Sequence, residues 1–144
     1  MKEDRPGTMK TCLIVEDSSV IREIALRILT DLEIEAEECE AAYEALEKCK
    51  AKKPDVVLLD WDLPSFGALD FLRGVAELAP DQRPTIVLCA TENDPQQFTL
   101  AKAAGAGHYL LKPFDRETIS AKFAELGLID APASTPPQSI QSAG

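Results

Sequence analysis

The sequence is poor in basic residues and has no long apolar run. Lysine and arginine together number 15, against 25 aspartate and glutamate residues, and the formal net charge is −10. Proteins that bind the nucleic acid backbone need clustered positive charge, so this balance argues against that class. No window approaches the ~18 consecutive apolar residues of a membrane-spanning helix. The charged residues 1–8 lack the apolar core of a secretory signal. We therefore expect a cytoplasmic protein.

The sequence also lacks a C-x-x-C pair, although it contains four cysteines. Cys12 and Cys89 lie in apolar runs, and Cys39 and Cys49 lie in acidic or helical stretches. This spacing indicates neither a zinc site nor a redox motif. Because nothing points to export, we expect reduced thiols rather than disulfides.

The length of 144 residues is typical of a single domain. We expect residues 1–9 to form a disordered leader and residues 10–128 to form the folded domain. Residues 129–144 are expected to be a flexible tail, because they are rich in proline, serine and alanine and uncharged after Asp130. No basic recognition helix follows residue 128, so we expect output through protein binding rather than DNA binding.

Short apolar runs alternate with amphipathic segments along the domain. The runs predicted as strands are Thr11–Val15, Glu33–Cys39, Val56–Leu59, Thr85–Ala90 and Gly107–Leu111. The predicted helices are Ser18–Asp31, Ala41–Lys50, Phe66–Leu78, one opening at Asp94-Pro95 and one capped by Asp115. The spacing in the first helix predicts a buried face of Ile21, Ile24, Ala25, Ile28 and Leu32. This alternation predicts an α/β fold with a parallel sheet covered on both faces.

Chemically active side chains follow four of the five predicted strands. They are Glu16-Asp17 after the first, Asp60 with Asp62 after the third, Thr91 after the fourth and Lys112-Pro113 after the fifth. The carboxyl ends of parallel strands meet at one edge of a sheet. Carboxylates gathered there repel one another, and Mg²⁺ would relieve the repulsion. A lysine and a hydroxyl beside the metal favour a phosphoryl group as the ligand.

The set Glu16-Asp17, Asp60, Thr91 and Lys112-Pro113 resembles the receiver domain of two-component response regulators, over about residues 10–128. The segments DWDLP, CATENDP, YLLKPFD and AKFAELGLI are most similar to single-domain chemotaxis receivers of the CheY kind. The resemblance implies a flavodoxin-like (βα)5 fold with a five-stranded parallel sheet in the order 2-1-3-4-5. It also implies a switch that catalyses its own phosphorylation and dephosphorylation, rather than a turnover enzyme.

The resemblance assigns a role to each acid. Asp60 would accept the phosphoryl group from a histidine kinase or a histidine phosphotransfer protein. Asp17 and Asp60 would ligate Mg²⁺ or Mn²⁺ together with the backbone carbonyl of Asp62, and Glu16 would act through metal-bound water.

The resemblance also implies how phosphorylation is transmitted. Lys112 would pair with the phosphoryl oxygens through a loop with a cis Lys112-Pro113 bond, and the Thr91 hydroxyl would move towards them. Tyr109 would then turn inward. Phe98, Lys102 and Tyr109 are the candidates for a partner-binding face made by the fourth helix, the fifth strand and the fifth helix. We expect a monomer with one downstream protein target and no nucleic acid partner.

Three features depart from the family pattern. Receivers usually carry an acid and then a glycine where Gly67 and Ala68 stand, so we expect Gly67 to take over the conformational freedom of that glycine. Asp62 places a carboxylate where chemotaxis receivers often have an amide. The stretch Asp31–Glu47 contains eight acids and no base, which indicates a solvated face or a surface for a basic partner.

Two alternatives remain open from the sequence. The strand ending in Asp60-Trp61-Asp62 also fits the opening Asp-x-Asp motif of a haloacid-dehalogenase-like phosphatase, although that family places its acidic metal pair late in the chain. A receiver-like module that binds partners without phosphorylation is the second alternative.

Overall fold

The computed structural model describes residues 9–64, 67–91 and 94–130. The strands are β1 (Thr11–Val15), β2 (Glu35–Cys39), β3 (Val56–Asp60), β4 (Thr85–Ala90) and β5 (His108–Leu111). The helices are α1 (Ser19–Asp31), α2 (Ala42–Lys52), α3 (Gly67–Ala76), α4 (Pro95–Ala103) and α5 (Arg116–Glu125). A 3-10 turn at Pro80–Gln82 precedes β4. No helix in these ranges is long and apolar enough to cross a membrane.

The five strands form one parallel sheet in the order β2-β1-β3-β4-β5. This confirms the predicted fold class and strand order. The central strand β3 is buried at every position, because helices cover both of its faces. The edge strand β2 instead exposes Glu35 and Glu38, which suits a strand with only one neighbour.

The sheet separates two hydrophobic cores. Alternate residues of β1 face opposite sides, so Leu13 and Val15 join one core while Cys12 and Ile14 join the other. The first core is completed by α2, α3 and α4, and the second by α1 and α5. All four cysteines are free, in agreement with the predicted reduced thiols, and all four are buried in these cores.

Side-chain caps begin three helices, two of them at the predicted residues Asp94 and Asp115 and one at Ser18, which the sequence places inside the first helix. The Ser18 hydroxyl accepts the Ile21 N–H of α1 at 3.3 Å, and Asp94 accepts the Gln96 N–H of α4 at 2.9 Å. Asp115 forms a reciprocal capping box with Thr118 at the start of α5. These caps fix the points at which the chain leaves the edge of the sheet.

The predicted buried face of α1 is partly wrong. Ala25 and Leu29 are its fully buried residues, and Ile24 is exposed. Apolar residues cover more than half of the circumference of this helix, so their spacing alone could not select which part of that arc faces the sheet. Packing of α1 against β1 and β2 decides the orientation instead.

Several boundaries also differ from the sequence prediction. The strand predicted from Glu33 begins at Glu35, because Glu33 adopts a left-handed φ of 64°. Helix α2 runs two residues further than predicted, to Lys52, and α3 ends at Ala76 rather than Leu78. Residues 1–8 of the expected leader and 131–144 of the expected tail lie outside the described residues. Ile129, assigned to the tail, packs partly against the α1–α5 core.

Candidate functional site

The residue after each of three strands stays in register with the sheet. One more backbone hydrogen bond follows each strand, from Glu16 N–H to Cys39 O at 3.1 Å, from Trp61 N–H to Cys89 O at 2.8 Å, and from Lys112 N–H to Ala90 O at 2.7 Å. These bonds fix the backbone of Glu16 and Lys112 and lock the position after Asp60. The predicted strand-end residues therefore have defined positions at one edge of the sheet.

The centre of this edge is a buried ion-pair cluster of Glu16, Asp60 and Lys112. The Lys112 ammonium lies 2.8 Å from Asp60 Oδ1 and 3.1 Å from Glu16 Oε1. The three side chains are only 3–7% exposed. The structure thus brings together residues 96 positions apart in the chain, as the strand-end argument predicts.

Backbone amides complete the surroundings of both carboxylates. Asp62 N–H donates to Asp60 Oδ1 at 2.9 Å, and Ser18 N–H donates to Glu16 Oε2 at 3.1 Å. Asp60 Oδ2 accepts no hydrogen bond from the described residues. Lys112 and the Asp62 amide therefore both bind the same oxygen of Asp60.

Burial and charge shift the protonation equilibria of this cluster. Burial is the main reason why the pKa of Glu16 lies above its usual range. The Asp60 charge adds to this shift, while the Ser18 amide and Lys112 oppose it. Burial alone would lower the pKa of Lys112, but hydrogen bonds and charge from Asp60 and Glu16 outweigh it, so this pKa is raised. Lys112 therefore stays charged at neutral pH.

The donors at this edge suit a hard divalent cation. One ammonium between the carboxylates of Glu16 and Asp60 leaves excess negative charge. Two exposed acids add to it, since Asp17 directly follows Glu16 and Asp62 lies two residues after Asp60. Carboxylate oxygens are the ligands that Mg²⁺ prefers. Within residues 9–64, 67–91 and 94–130, no group of three or more acidic, cysteine or histidine side chains is arranged to hold a metal ion. The chemistry of the donors fits Mg²⁺, and the individual ligands remain predictions.

The predicted switch residues fall into two places. The rings of Phe98 and Tyr109 stack with centroids 4.0 Å apart, and Tyr109 is 42% exposed. Both line a cleft of about 210 Å³ with Lys102. Thr91 is exposed directly after β4 and does not line this cleft. The Lys112-Pro113 bond is cis, as predicted.

The expectation for the loop after Asp60 is not met. Gly67 and Ala68 are the first residues of α3, so Gly67 is helical rather than a flexible turn residue. Its missing side chain matters for space instead, because a Cβ there would lie 3.3 Å from Leu63 Cβ. A larger residue at this position would therefore need a small shift of Leu63.

The acidic stretch is partly neutralised by basic side chains of other segments. Lys48 and Lys52 of α2 both bind Glu37, the latter at 2.8 Å. Arg116 of α5 lies 3.5 Å from Asp31. These pairs support the solvated-face interpretation for part of the stretch.

Arg22 is a contact residue that the sequence analysis does not identify. Its guanidinium binds the backbone carbonyls of Glu16 and Asp17. The sequence feature that could have pointed to this contact was a basic residue early in the helix that follows Glu16-Asp17. Such a residue usually points to solvent, so the signal is weak.

Comparison with known sequences identifies the family. The profile of the response regulator receiver domain matches residues 12–124. Chemotaxis protein CheY1 of Helicobacter pylori is 32% identical over 112 residues, which cover 76% of this chain and 90% of the relative. Chemotaxis protein CheY of Thermotoga maritima is 31% identical over 106 residues, covering 73% and 87%.

Solved structures agree with this assignment. Chemotaxis response regulator CheY4 of Vibrio cholerae superposes with a TM-score of 0.76 at 30% identity, covering 83% of this chain and 99% of that one. The receiver domain of a Pseudomonas aeruginosa sensor histidine kinase, which has magnesium in its active-site cleft, gives a TM-score of 0.74 at 20% identity, covering 82% and 97%. The latter supports the fold alone. The matched profile and the CheY relatives together establish that this chain belongs to the response regulator receiver domain family and is of the CheY type.

Proposed function

We propose that Asp60 accepts a phosphoryl group from a histidine kinase or a histidine phosphotransfer protein, and that the phosphorylated chain signals by binding a target protein in chemotaxis. The observation that carries this proposal is the buried contact of 2.8 Å between Lys112 and Asp60. It joins a nucleophilic carboxylate to the cation that can receive phosphoryl oxygens. We also propose that the protein acts in the cytoplasm as a monomer.

The contacts of Asp60 suggest how the transfer proceeds. One carboxylate oxygen attacks phosphorus while the bond from phosphorus to the donor imidazole breaks, and the imidazole takes up a proton from solvent. The amide of Asp62 and the ammonium of Lys112 keep Asp60 oriented before the reaction. Phosphoryl transfer depends mainly on such positioning and on charge neutralisation.

A divalent cation fits this scheme. Mg²⁺ or Mn²⁺ would be held by Asp17, Asp60 and the backbone carbonyl of Asp62, with Glu16 acting through water, and would neutralise charge on the transferring phosphoryl group. Glu16 has a second role in this proposal. By sharing Lys112 with Asp60, it keeps the ammonium at the site before the phosphoryl group arrives.

The signal would leave the site through Thr91 and Tyr109. We propose that the Thr91 hydroxyl moves to hydrogen-bond the phosphoryl oxygens and that the Tyr109 ring then turns inward. The exposed stack of Tyr109 on Phe98 provides a ring that can change position. Its movement would reshape the cleft with Lys102 and therefore the binding face made by α4, β5 and α5.

Trp61 fluorescence offers a direct test. This is the only tryptophan, and it follows Asp60 directly. We expect a saturable change on addition of Mg²⁺ and a second change on addition of acetyl phosphate. Asp60→Asn should abolish the second change. Asp81→Asn, an identical replacement at an exposed turn, is the matched control and should retain both.

Two outcomes would contradict the proposal. A Mg²⁺ response without a phosphodonor response would favour the interaction module that works without phosphorylation. A phosphodonor response that survives in Asp60→Asn would mean that another group accepts the phosphoryl. The haloacid-dehalogenase alternative has no support from the family match, and steady turnover of a phosphomonoester would be needed to revive it.

A further inference from the structure

Arg22 connects the acidic-pair loop to the end of the neighbouring strand. Its Nη1 donates to the carbonyl oxygens of Glu16 at 2.8 Å and Asp17 at 3.3 Å. On its other side, Nε lies 3.0 Å from Glu38 Oε1, and Nη2 lies 3.8 Å from Glu40 Oε2. The Arg22 side chain is only 13% exposed. One side chain thus contacts both the loop after β1 and the residues at the end of β2.

We infer that Arg22 is a positioning residue, which holds the backbone of Glu16 and Asp17 so that their carboxylates face the site of cation binding and phosphoryl transfer. This inference rests on the proposed function. The Glu16 segment is held at three points, by its own N–H on Cys39 O, by its carbonyl on Arg22 and by Ser18 N–H on its carboxylate. Only the Arg22 contact also includes the carbonyl of Asp17.

A guanidinium is required by this geometry. It offers five N–H donors in a rigid plane, whereas an ammonium is a compact charge on a flexible stem. Here Nη1 of the planar group donates to the carbonyl oxygens of Glu16 and Asp17, and Nε donates to the Glu38 carboxylate. Glu38 and Glu40 partly neutralise the charge of the guanidinium on the side away from the two carbonyl oxygens.

The charge of Arg22 and its positioning role have opposite effects on cation affinity. Removing a positive charge near a divalent cation should strengthen binding of the cation. Loosening the loop should weaken it, as loss of groups that orient metal ligands typically does. The sign of the change therefore separates a role in positioning from a role as a mere charge.

The experiment compares Arg22→Gln, Arg22→Lys and Arg27→Gln. Arg27 lies on the same helix but is 74% exposed and pairs only with Glu23 among the described residues, so it is the matched control. Mg²⁺ affinity is read from Trp61 fluorescence. Hydrogen exchange of the Ser18 amide is measured by NMR in metal-free protein, because this amide binds the Glu16 carboxylate. The melting temperature checks folding, and Arg22→Lys retains the charge and stem if Arg22→Gln does not fold.

We expect both Arg22 variants to bind Mg²⁺ about 10-fold more weakly and to exchange the Ser18 amide faster, with Arg27→Gln like the wild type. Wild-type affinity and exchange in Arg22→Lys would overturn the inference, as would tighter binding in Arg22→Gln. A wild-type protein that responds to neither Mg²⁺ nor acetyl phosphate would instead contradict the proposed function. In that case unchanged Ser18 exchange in the variants would overturn the positioning role as well.

Discussion

Two ion-pair clusters of this protein each join three charged side chains, but they have opposite charge balance and opposite surroundings. At the carboxyl edge of the sheet, one lysine lies between two acids, as Lys112 contacts Asp60 and Glu16. On the surface of β2 and α2, one acid lies between two lysines, as Glu37 contacts Lys48 and Lys52. Side chains of the first cluster are almost fully buried, whereas those of the second are 25–63% exposed.

The two clusters have the same number of contacts and differ in burial, and burial changes what an ion pair is expected to contribute. Exposed pairs gain little, because water and salt screen the attraction and the long side chains lose freedom. In a buried cluster, each charge has lost its hydration and depends on its partners. With both acids ionised, the buried cluster carries one more negative than positive charge. This imbalance disfavours folding but suits a site that has to accept a cation.

Breaking the buried cluster at its lysine should have the largest effect on stability. Lys112→Met keeps most of the side-chain volume but leaves the carboxylates of Glu16 and Asp60 facing each other without a counter-charge. Loss of one partner of a buried ion pair typically costs about 3–5 kcal/mol, and we expect a loss of this size in the free energy of unfolding. Urea denaturation at about pH 8 would measure it.

The pH dependence of Lys112→Met gives a second check. The pKa of Glu16 is raised in the folded protein from a usual 4.5, so the folded state binds its proton more tightly than the unfolded state. Lys112 opposes this rise, so its removal should raise the pKa of Glu16 further. The stability of the variant should then fall more steeply than that of the wild type as pH rises above 4.5, and the defect should be smaller at about pH 5 than at about pH 8. A defect that grows on acidification would contradict this account. In the wild type, the raised pKa of Lys112 provides stability below its usual 10.5 that is lost in more alkaline solution.

Replacing Asp60 in the buried cluster should change the free energy of unfolding much less than replacing Lys112, and any change should be an increase. Asp60→Asn removes the excess negative charge and leaves Lys112 paired with Glu16 at 3.1 Å. We expect a free energy of unfolding equal to that of the wild type or up to about 1 kcal/mol higher. Parallel urea curves of both proteins would measure the difference. Destabilisation comparable to that of Lys112→Met would mean that the pair itself, rather than charge balance, holds this edge together.

The sequence predicts part of the buried cluster but not all of its contacts. The positions of Asp60 and Lys112 followed from strand order, because parallel strands deliver their carboxyl ends to one edge. The direct contact of Lys112 with Glu16 did not follow, since it depends on rotamers of side chains far apart in sequence. Gly67 lies within the predicted helix Phe66–Leu78, but the limited space beside it, where a Cβ would lie 3.3 Å from Leu63 Cβ, did not follow from the sequence. The sequence pattern reports neither kind of packing.

Breaking the exposed cluster should have a far smaller effect than breaking the buried one at Lys112. Glu37→Gln removes both contacts with Lys48 and Lys52, yet we expect its urea midpoint to shift several-fold less than that of Lys112→Met, with a difference that vanishes at about 1 M salt. Hydrogen bonds from both lysines hold the pKa of Glu37 below its usual 4.5. Its contribution is therefore present above that pH and lost on acidification, which is opposite to the behaviour of Glu16.

Glu35→Gln is the control for this prediction. Glu35 lies two residues earlier on the same face of β2 and outside both ion pairs, so its replacement separates pairing from a general loss of negative charge. Equal shifts of the urea midpoint in the two variants would show that the surface contacts contribute nothing beyond net charge. A loss of stability in Glu37→Gln alone that persists in high salt would mean that this cluster is shielded from water as the buried one is.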